Sequence, residues 1–246
     1  MASVRVRFLG SGDAFGGGGR LQTCILVESD GCSCLLDCGA SSLVALKSAP
    51  MDPGDIDIIL ITHLHGDHFG GLPFFILDGQ FSRRSAPLRV AGPPGLETRV
   101  NEAMEVFFPG SAGARRKFEV QFQELAEGVP ASVGPLQVTP YEVLHPCGAP
   151  PYALRVQLHD RVITYSGDTE WTDRLIAAAS GADLFICEAY FYEKRIPFHL
   201  DYSTLMRHHP ELECKRIVLT HMSPDMLSHV RELAVEPAYD GLEITL

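Results

Sequence analysis

Three histidines and one aspartate occupy four of six consecutive positions about a quarter of the way along the chain. They lie in the segment His63-Leu64-His65-Gly66-Asp67-His68. Histidine is the commonest metal ligand, and carboxylates bind the same divalent ions. Asp67 could instead cap a following helix, and the histidines could form a polar turn. Four good ligands in so short a segment favour a metal site over these structural roles.

The residues on either side of this histidine segment indicate how it is positioned. The run 56–62 is apolar and β-branched, which is typical of a buried strand, and residues 69–77 predict a turn leading into an apolar helix. Because alternate residues of an extended segment project to the same side, the first two histidines can bind one ion. A turn at Gly66 could direct the aspartate and the last histidine toward a second ion.

The overall composition is that of an ordinary globular protein. The chain has 246 residues, of which 46% are hydrophobic and 21% charged, and its net charge is −11. This acidic balance argues against a polyanion-binding surface, so long nucleic acids are poor candidate partners. The basic run 115–117 is better explained as a solvated loop than as a phosphate clamp, although a substrate contact there stays open. We find no repeat, linker or change in composition, and we expect one domain over residues 1–246.

The seven cysteines and the N-terminal sequence predict a reducing compartment. The count is odd, residues 4–9 resemble a strand rather than a signal peptide, and no apolar run approaches the roughly 18 residues of a membrane span. We therefore expect a cytoplasmic protein without a membrane partner. Cys32, Cys34 and Cys38 lie in or beside a predicted strand, and buried thiols explain them better than a zinc site does.

A glycine-rich stretch, residues 10–20, follows the first predicted strand. Such loops can bind phosphate, but this one lacks the Lys-Ser/Thr ending of a P-loop and precedes another strand rather than a helix. A nucleotide-binding fingerprint is therefore excluded. Two alternatives stay open: a plain hairpin, or a flexible loop beside the active site in which Asp13 and Arg20 contact the substrate.

Strands and helices alternate through most of the remaining chain. Residues 136–139 and 141–144 are predicted as two strands, and residues 152–158 and 161–165 as the two arms of a hairpin. Helices are interleaved with strands in the last third of the chain. Two sheets that face each other, with helices outside, accommodate this pattern.

Three further candidate ligands stand at the ends of predicted strands: His145, Asp168 and His221. Each one alone is weak, because a lone histidine or aspartate after a strand is usually a turn residue. Together with the histidine segment, they form a set of histidines and carboxylates that suits two zinc ions, and manganese is compatible with the same ligands.

These motifs resemble the five sequential motifs of the metallo-β-lactamase superfamily, and the resemblance extends over nearly the whole chain. It implies an α/β (α+β) fold, the four-layer αββα sandwich. It also implies two divalent metal ions, of which one is held by His63, His65 and His145 and the other by Asp67, His68 and His221, with Asp168 bridging them.

Within the superfamily, the chain is most similar to the ribonuclease Z-like phosphodiesterase branch. The similarity lies in residues 8–12, 166–169 and 187–189 and in His199. It implies that His199 assists the leaving group and that acidic neighbours orient it. The candidate catalytic residues are therefore Asp67, Glu188 and His199.

Two departures from typical ribonuclease Z argue against tRNA as the substrate. Only 23 positions separate His145 from Asp168, the interval in which tRNA-processing enzymes commonly carry a long arm. Residues 222–225 also lack the Arg-Tyr that ribonuclease Z has after its last histidine. A small phosphodiester is easier to reconcile with this sequence.

The sequence therefore predicts a metal-dependent hydrolase in which a metal-bridging hydroxide attacks a small phosphodiester. A lactone, thioester or β-lactam hydrolase on the same metals is an alternative, because such a hydroxide also attacks carbonyl carbon. A non-catalytic binding or carrier protein is a second alternative, and the complete ligand set argues against it. A single-iron dioxygenase could dispense with His68, whose presence argues against that chemistry. The branch resemblance also suggests a homodimer.

Overall fold

Two seven-stranded β-sheets form the centre of the protein, and a computed structural model describes residues 3–49 and 51–246 of it. The strands, in chain order, are β1 (Arg5–Gly10), β2 (Cys24–Ser29), β3 (Cys32–Leu36), β4 (Ile58–Leu60), β5 (Leu88–Gly92), β6 (Val120–Glu124), β7 (Ala131–Val133), β8 (Leu136–Glu142), β9 (Tyr152–Leu158), β10 (Arg161–Tyr165), β11 (Leu184–Glu188), β12 (Ile217–Thr220), β13 (Glu236–Pro237) and β14 (Glu243–Thr245).

Seven α-helices are assigned within the described residues. They are α1 (Ser42–Ser48), α2 (Gly66–Phe69), α3 (Leu72–Phe81), α4 (Leu96–Phe107), α5 (Arg174–Ala179), α6 (Tyr202–His208) and α7 (Pro224–Ser228). The longest of them, α4, has 12 residues. No helix in the described segments is long and apolar enough to cross a bilayer.

The two sheets are built largely from the two halves of the chain. The first has the strand order β14-β1-β2-β3-β4-β5-β6, and the second has the order β13-β12-β11-β10-β9-β8-β7. Strands β3 to β6 run parallel in the first sheet, and β10 to β13 run parallel in the second. Parallel pairing is typical of strands covered on both faces, and the buried runs of β4 and β12 fit that rule.

Alternation along each strand divides the apolar side chains among three clusters. On β4, Ile58 and Leu60 lie in the cluster between the sheets, whereas Ile59 packs under α3 and α4. On β12, Val218 belongs to the central cluster, and Leu219 packs on the side of α5, α6 and α7. Helices therefore cover the outer face of each sheet. The predicted αββα sandwich is confirmed.

One predicted break in a strand is wrong. Residues 136–139 and 141–144 do not form separate strands, because β8 continues through Pro140 to Glu142. Proline lacks an N–H, and it is tolerated here because the neighbouring β7 pairs only as far as Val138. The carbonyl of Pro140 accepts a hydrogen bond from Gly128 N instead. The short strand β7 was not predicted.

A buried carboxylate fixes the starts of three strands in the second sheet. Asp183, just before β11, accepts hydrogen bonds from Val162 N at 2.8 Å and Lys215 Nζ at 2.7 Å. Arg161 Nη1 lies 3.4 Å from the same carboxylate. Although burial opposes ionisation, these donors hold the pKa of Asp183 below its ordinary value.

We predict that Asp183→Asn lowers the free energy of unfolding by about 1 kcal/mol at pH 7, because the charge-assisted hydrogen bonds to this carboxylate, which are partly exposed to solvent, are lost. The folded-state pKa is depressed, so this stabilisation is present above the unfolded pKa of about 3.9 and is lost as the pH falls through the folded value. Urea denaturation at pH 7 and in acid measures the difference. Asp30→Asn, in the exposed turn between β2 and β3, is the control. A difference that does not change with pH would contradict this account.

Candidate metal centre

Three histidines form the first ligand cluster. His63 and His65 lie in the loop between β4 and α2, and His145 follows β8. The Nε2 atom of His145 is 2.9 Å from Nδ1 of His65, and each of these rings lies 4.8–4.9 Å from the ring of His63. Burial is the largest of the effects that lower the pKa of all three histidines. They are therefore neutral near pH 7, which is the form that binds a metal ion.

Two aspartates and two histidines form the second cluster, and all four side chains are buried. Asp67 Oδ2 is 3.2 Å from the Nε2 atoms of both His68 and His221. Asp168 Oδ2 is 3.3 Å from Nε2 of His68 and 3.4 Å from Nε2 of His221. Asp67 does not cap a helix, because the residue at the N-cap of α2 is His65.

One carboxylate oxygen faces both clusters. Besides its contacts in the second cluster, Asp168 Oδ2 is 3.9 Å from Nε2 of His63 and 3.8 Å from Nε2 of His145. Asp168 follows β10, so the second sheet carries it to the loop that contains His63. This position is the one expected of a carboxylate that bridges two ions.

The arrangement of the donor atoms suits coordination of metal ions better than it suits hydrogen bonds among these side chains. Among the described residues, His63 Nε2, His68 Nε2 and Asp168 Oδ1 are buried without a hydrogen-bond partner, an uncommon condition for polar atoms. Two atoms each about 2.1 Å from a tetrahedral zinc ion lie about 3.4 Å apart. The four contacts of the second cluster, at 3.2–3.4 Å, match that spacing.

The electrostatic potential in the second cluster is negative, because two carboxylates lie there. Burial alone would lower the pKa of His221, but Asp168 and Asp67 raise it to about 9. The same carboxylates raise the pKa of the fully buried His68. A field that holds protons on these imidazoles also attracts a divalent cation, and metal binding would displace the protons.

Asp37 holds the second cluster in place from behind. Its carboxylate accepts hydrogen bonds from His68 Nδ1 at 2.7 Å and from Thr62 N and Oγ1 at 2.8 Å each. The Thr62 hydroxyl is also 3.0 Å from Nδ1 of His63, so Asp37 supports both clusters. No role was predicted for Asp37 from the sequence. A buried acid at a strand end, two residues before Gly39, was the signal that could have found it.

Glu188 and His199 form a hydrogen-bonded pair beside the clusters. Glu188 Oε2 is 3.0 Å from His199 Nδ1, and Oε1 accepts from the amide of Thr169. Burial and the nearby Asp168 raise the pKa of Glu188. Burial alone would lower the pKa of His199, but the hydrogen bond to Glu188 raises it. The ring of His199 is 4.9 Å from that of His145, and its side chain is 21% exposed.

A cavity of about 220 Å³ opens onto both clusters. Its lining consists of six residues already described, of Tyr190, and of two residues from the loop after β1: His65, Asp67, His145, Asp168, His199 and His221, then Tyr190, then Ala14 and Phe15. Tyr190 stacks on the ring of His199 at 4.7 Å. Sequence reasoning missed Tyr190 and Phe15, because no local pattern shows which loop side chains meet across two sheets.

The other residues that the sequence suggested as substrate contacts form hydrogen bonds within the chain. The Asp13 carboxylate accepts hydrogen bonds from Phe15 N and Gly17 N in its own loop. Arg20 donates to the carbonyl of Ala238 at 2.6 Å, and Arg116 of the basic run donates to the carbonyl of Ala112 at 3.0 Å.

Cys32, Cys34 and Cys38 are buried, as the sequence predicts. Cys32 and Cys34 lie on β3, and Cys38 follows its end.

Known proteins share this architecture over nearly the whole chain. A ribonuclease Z from Anoxybacillus flavithermus is 26% identical to this chain over 293 aligned positions, which cover 96% of this chain and 92% of that protein. The crystal structure of YhfI from Bacillus subtilis, a metallo-β-lactamase fold protein, has a TM-score of 0.82 at 20% identity and covers 100% of both chains. The short form of human tRNase Z has a TM-score of 0.79 at 25% identity and covers 98% of both.

The fold and these relatives define a metallo-hydrolase of the metallo-β-lactamase superfamily, in its ribonuclease Z-like branch. The family model described as "Anti-Pycsar protein Apyc1" matches residues 4–235. The chain therefore belongs to that family.

We predict that Asp37→Asn weakens metal binding by about 10- to 100-fold, because an amide cannot accept all the hydrogen bonds that orient His68 and Thr62. Asparagine tolerates the positive φ of 60° at this position, so the variant is expected to fold. Competition with a chromophoric chelator measures the affinity. Asp30→Asn, at the exposed opposite end of β3, is the matched control. Equal affinities for the two variants would remove Asp37 from this role.

Proposed function

We propose that this protein is a dinuclear-metal phosphodiesterase that hydrolyses a small phosphodiester. The observation that carries the proposal is the Glu188–His199 pair beside the ligand clusters. Glu188 Oε2 lies 3.0 Å from His199 Nδ1, and the ring of His199, which lines the cavity, is 4.9 Å from that of His145. A hydrolase acting on an activated carbonyl has less need of a separate acid than one that expels an alkoxide from phosphorus.

The proposed ligands of the first ion are His63, His65 and His145, and those of the second are Asp67, His68 and His221, with Asp168 shared. Two bound divalent ions lower the pKa of water to near neutrality and offset the negative charge of a phosphodiester. Zinc is our proposal for both, because neutral imidazole and carboxylate in tetrahedral spacing suit it. The Nε2 atoms of His63 and His68, which are buried and have no hydrogen-bond partner among the described residues, support the proposed metal ligands.

His199 is the proposed proton donor to the leaving oxygen. Its Nδ1 faces the carboxylate of Glu188 and must donate to it, which leaves Nε2 to carry the second proton of the imidazolium. The raised pKa of His199 favours this protonated form. Stacking against Tyr190 holds the ring edge toward the cavity. After the proton is transferred, Glu188 keeps the neutral ring in the same orientation and stabilises its reprotonation.

Several observations support a small substrate rather than a folded RNA. The cavity of about 220 Å³ suits a low-molecular-weight diester. The interval 146–167 is taken up by a short loop and by β9 and β10, which belong to the second sheet. The net charge of −11 disfavours a long polyanion.

The names of known relatives agree with phosphodiester chemistry. Ribonuclease Z is named for action on RNA, which is a phosphodiester polymer. The name of the matching family describes its members as acting against Pycsar, and we infer that this chain also acts against Pycsar. We place the reaction in the cytoplasm, a proposal supported by seven cysteines that are all free of disulfides.

We predict that His199→Ala lowers kcat about 10²- to 10⁴-fold for diesters with poor leaving groups and much less for 4-nitrophenyl esters, which need little protonation. The measurement is kcat/KM across a series of alkyl and aryl phosphodiesters, with metal content determined in parallel. His209→Ala, at an exposed position after α6, is the control and should match the wild type. Equal losses for good and poor leaving groups would show that His199 is not the acid.

Adding a lactone and a thioester to this panel separates the proposal from its rivals. Diesterase activity without lactone or thioester cleavage supports the proposal. Cleavage of carbonyl esters alone would replace it with the second hydrolase class, and two bound metals without any turnover would indicate a binding protein.

A further inference from the structure

Phe15 is a large apolar side chain held in water at the mouth of the cavity. It is 86% exposed, more than any other large hydrophobic residue in the described segments. It lies in the loop between β1 and β2 and lines the same cavity as His65 and His199. Single exposed hydrophobic residues are common, but this one borders the proposed reaction site.

The loop that carries Phe15 is fixed rather than loose. Asp13 Oδ1 accepts hydrogen bonds from Phe15 N at 3.2 Å and Gly17 N at 2.7 Å. Gln22 Nε2 donates to the carbonyl of Ala14 at 3.0 Å. Because the backbone is held on both sides of Phe15, the loop is preorganised, and a ligand that binds there orders little further backbone.

A second cavity lies on the other side of Phe15. It measures about 540 Å³, and its lining includes Leu21, Ala40 and Val44 beside Phe15. Val44 is 61% exposed, so the outer cavity presents apolar surface to solvent. Phe15 and Ala14 line both this outer cavity and the one onto which the ligand clusters open, so a molecule that occupies both would pass along Phe15.

We propose that Phe15 and the outer cavity form a subsite for a planar, uncharged ring on the substrate. The inference rests on the proposed function, which places a phosphodiester in the inner cavity. One ester group then extends across Phe15, and its ring stacks on the phenyl group while its edge contacts Val44. Phe15 therefore determines specificity: it selects diesters that carry a ring and does not take part in the chemical step.

The test uses inert phosphonates, so that it does not depend on turnover. Calorimetry on the metal-loaded protein compares phenylphosphonate, cyclohexylphosphonate and methylphosphonate, which share a head group. We expect the wild type to bind phenylphosphonate about tenfold more tightly than methylphosphonate, with cyclohexylphosphonate weaker than phenylphosphonate. Phe15→Ala should abolish the preference, so that the variant binds phenylphosphonate and methylphosphonate with the same affinity. The control is Phe81→Ala, which removes another exposed phenyl ring. Phe81 is 79% exposed, and this variant should retain the preference.

Three results would overturn the proposal. In the first, Phe15→Ala weakens all three ligands equally. In the second, cyclohexylphosphonate binds as tightly as phenylphosphonate, which would make the subsite apolar but not selective for planar rings. In the third, Phe15→Ala converts a dimer to a monomer in light scattering, which would assign Phe15 to contact with a second copy. If the protein shows the preference for the ring but has no diesterase activity, only the proposed function is refuted.

Discussion

One carboxylate oxygen sets the arrangement of the site. Asp168 Oδ2 lies 3.3–3.9 Å from ring nitrogens of four histidines, and its side chain is buried. Ionised carboxylates are stable in such surroundings only when cations or hydrogen-bond donors surround them. The other carboxylate oxygen and two of the imidazole nitrogens in these contacts have no hydrogen-bond partner among the described residues. Under the proposed function, divalent ions would satisfy all of these atoms together, which requires the sandwich to hold the ligands at metal-binding spacing.

The two sheets meet this requirement by bringing strand ends together across the core. Tyr152 N donates to Thr62 O at 3.0 Å, and His221 N donates to Ser11 O at 3.2 Å, so backbone hydrogen bonds join the sheets beside the ligands. Asp37 and His221 have positive φ angles of 60° and 57°. Such conformations cost about 1–3 kcal/mol in a residue other than glycine and are typical of functional sites. The central apolar cluster stabilises the sandwich that maintains them.

Local pattern predicted the parts of the structure that local forces determine. Buried β-branched runs predicted β4 and β12, and the position of the ligands at strand ends followed from the same runs. Contacts between distant segments could not be derived in this way. The support of His68 by Asp37 joins residues 31 positions apart, and the stacking of Tyr190 on His199 depends on the loop after β11. The pairing of the ligands into two clusters came from the resemblance to a known superfamily, and the geometry now gives that pairing a physical reason.

The most direct test of the central claim is anomalous diffraction from crystals of the zinc-loaded protein, recorded on both sides of the zinc absorption edge. Our account predicts two anomalous peaks, one on each side of Asp168 Oδ2, each about 2.1 Å from its histidine nitrogens. A single peak, or peaks outside the clusters formed by His63, His65 and His145 and by Asp67, His68 and His221, would contradict it.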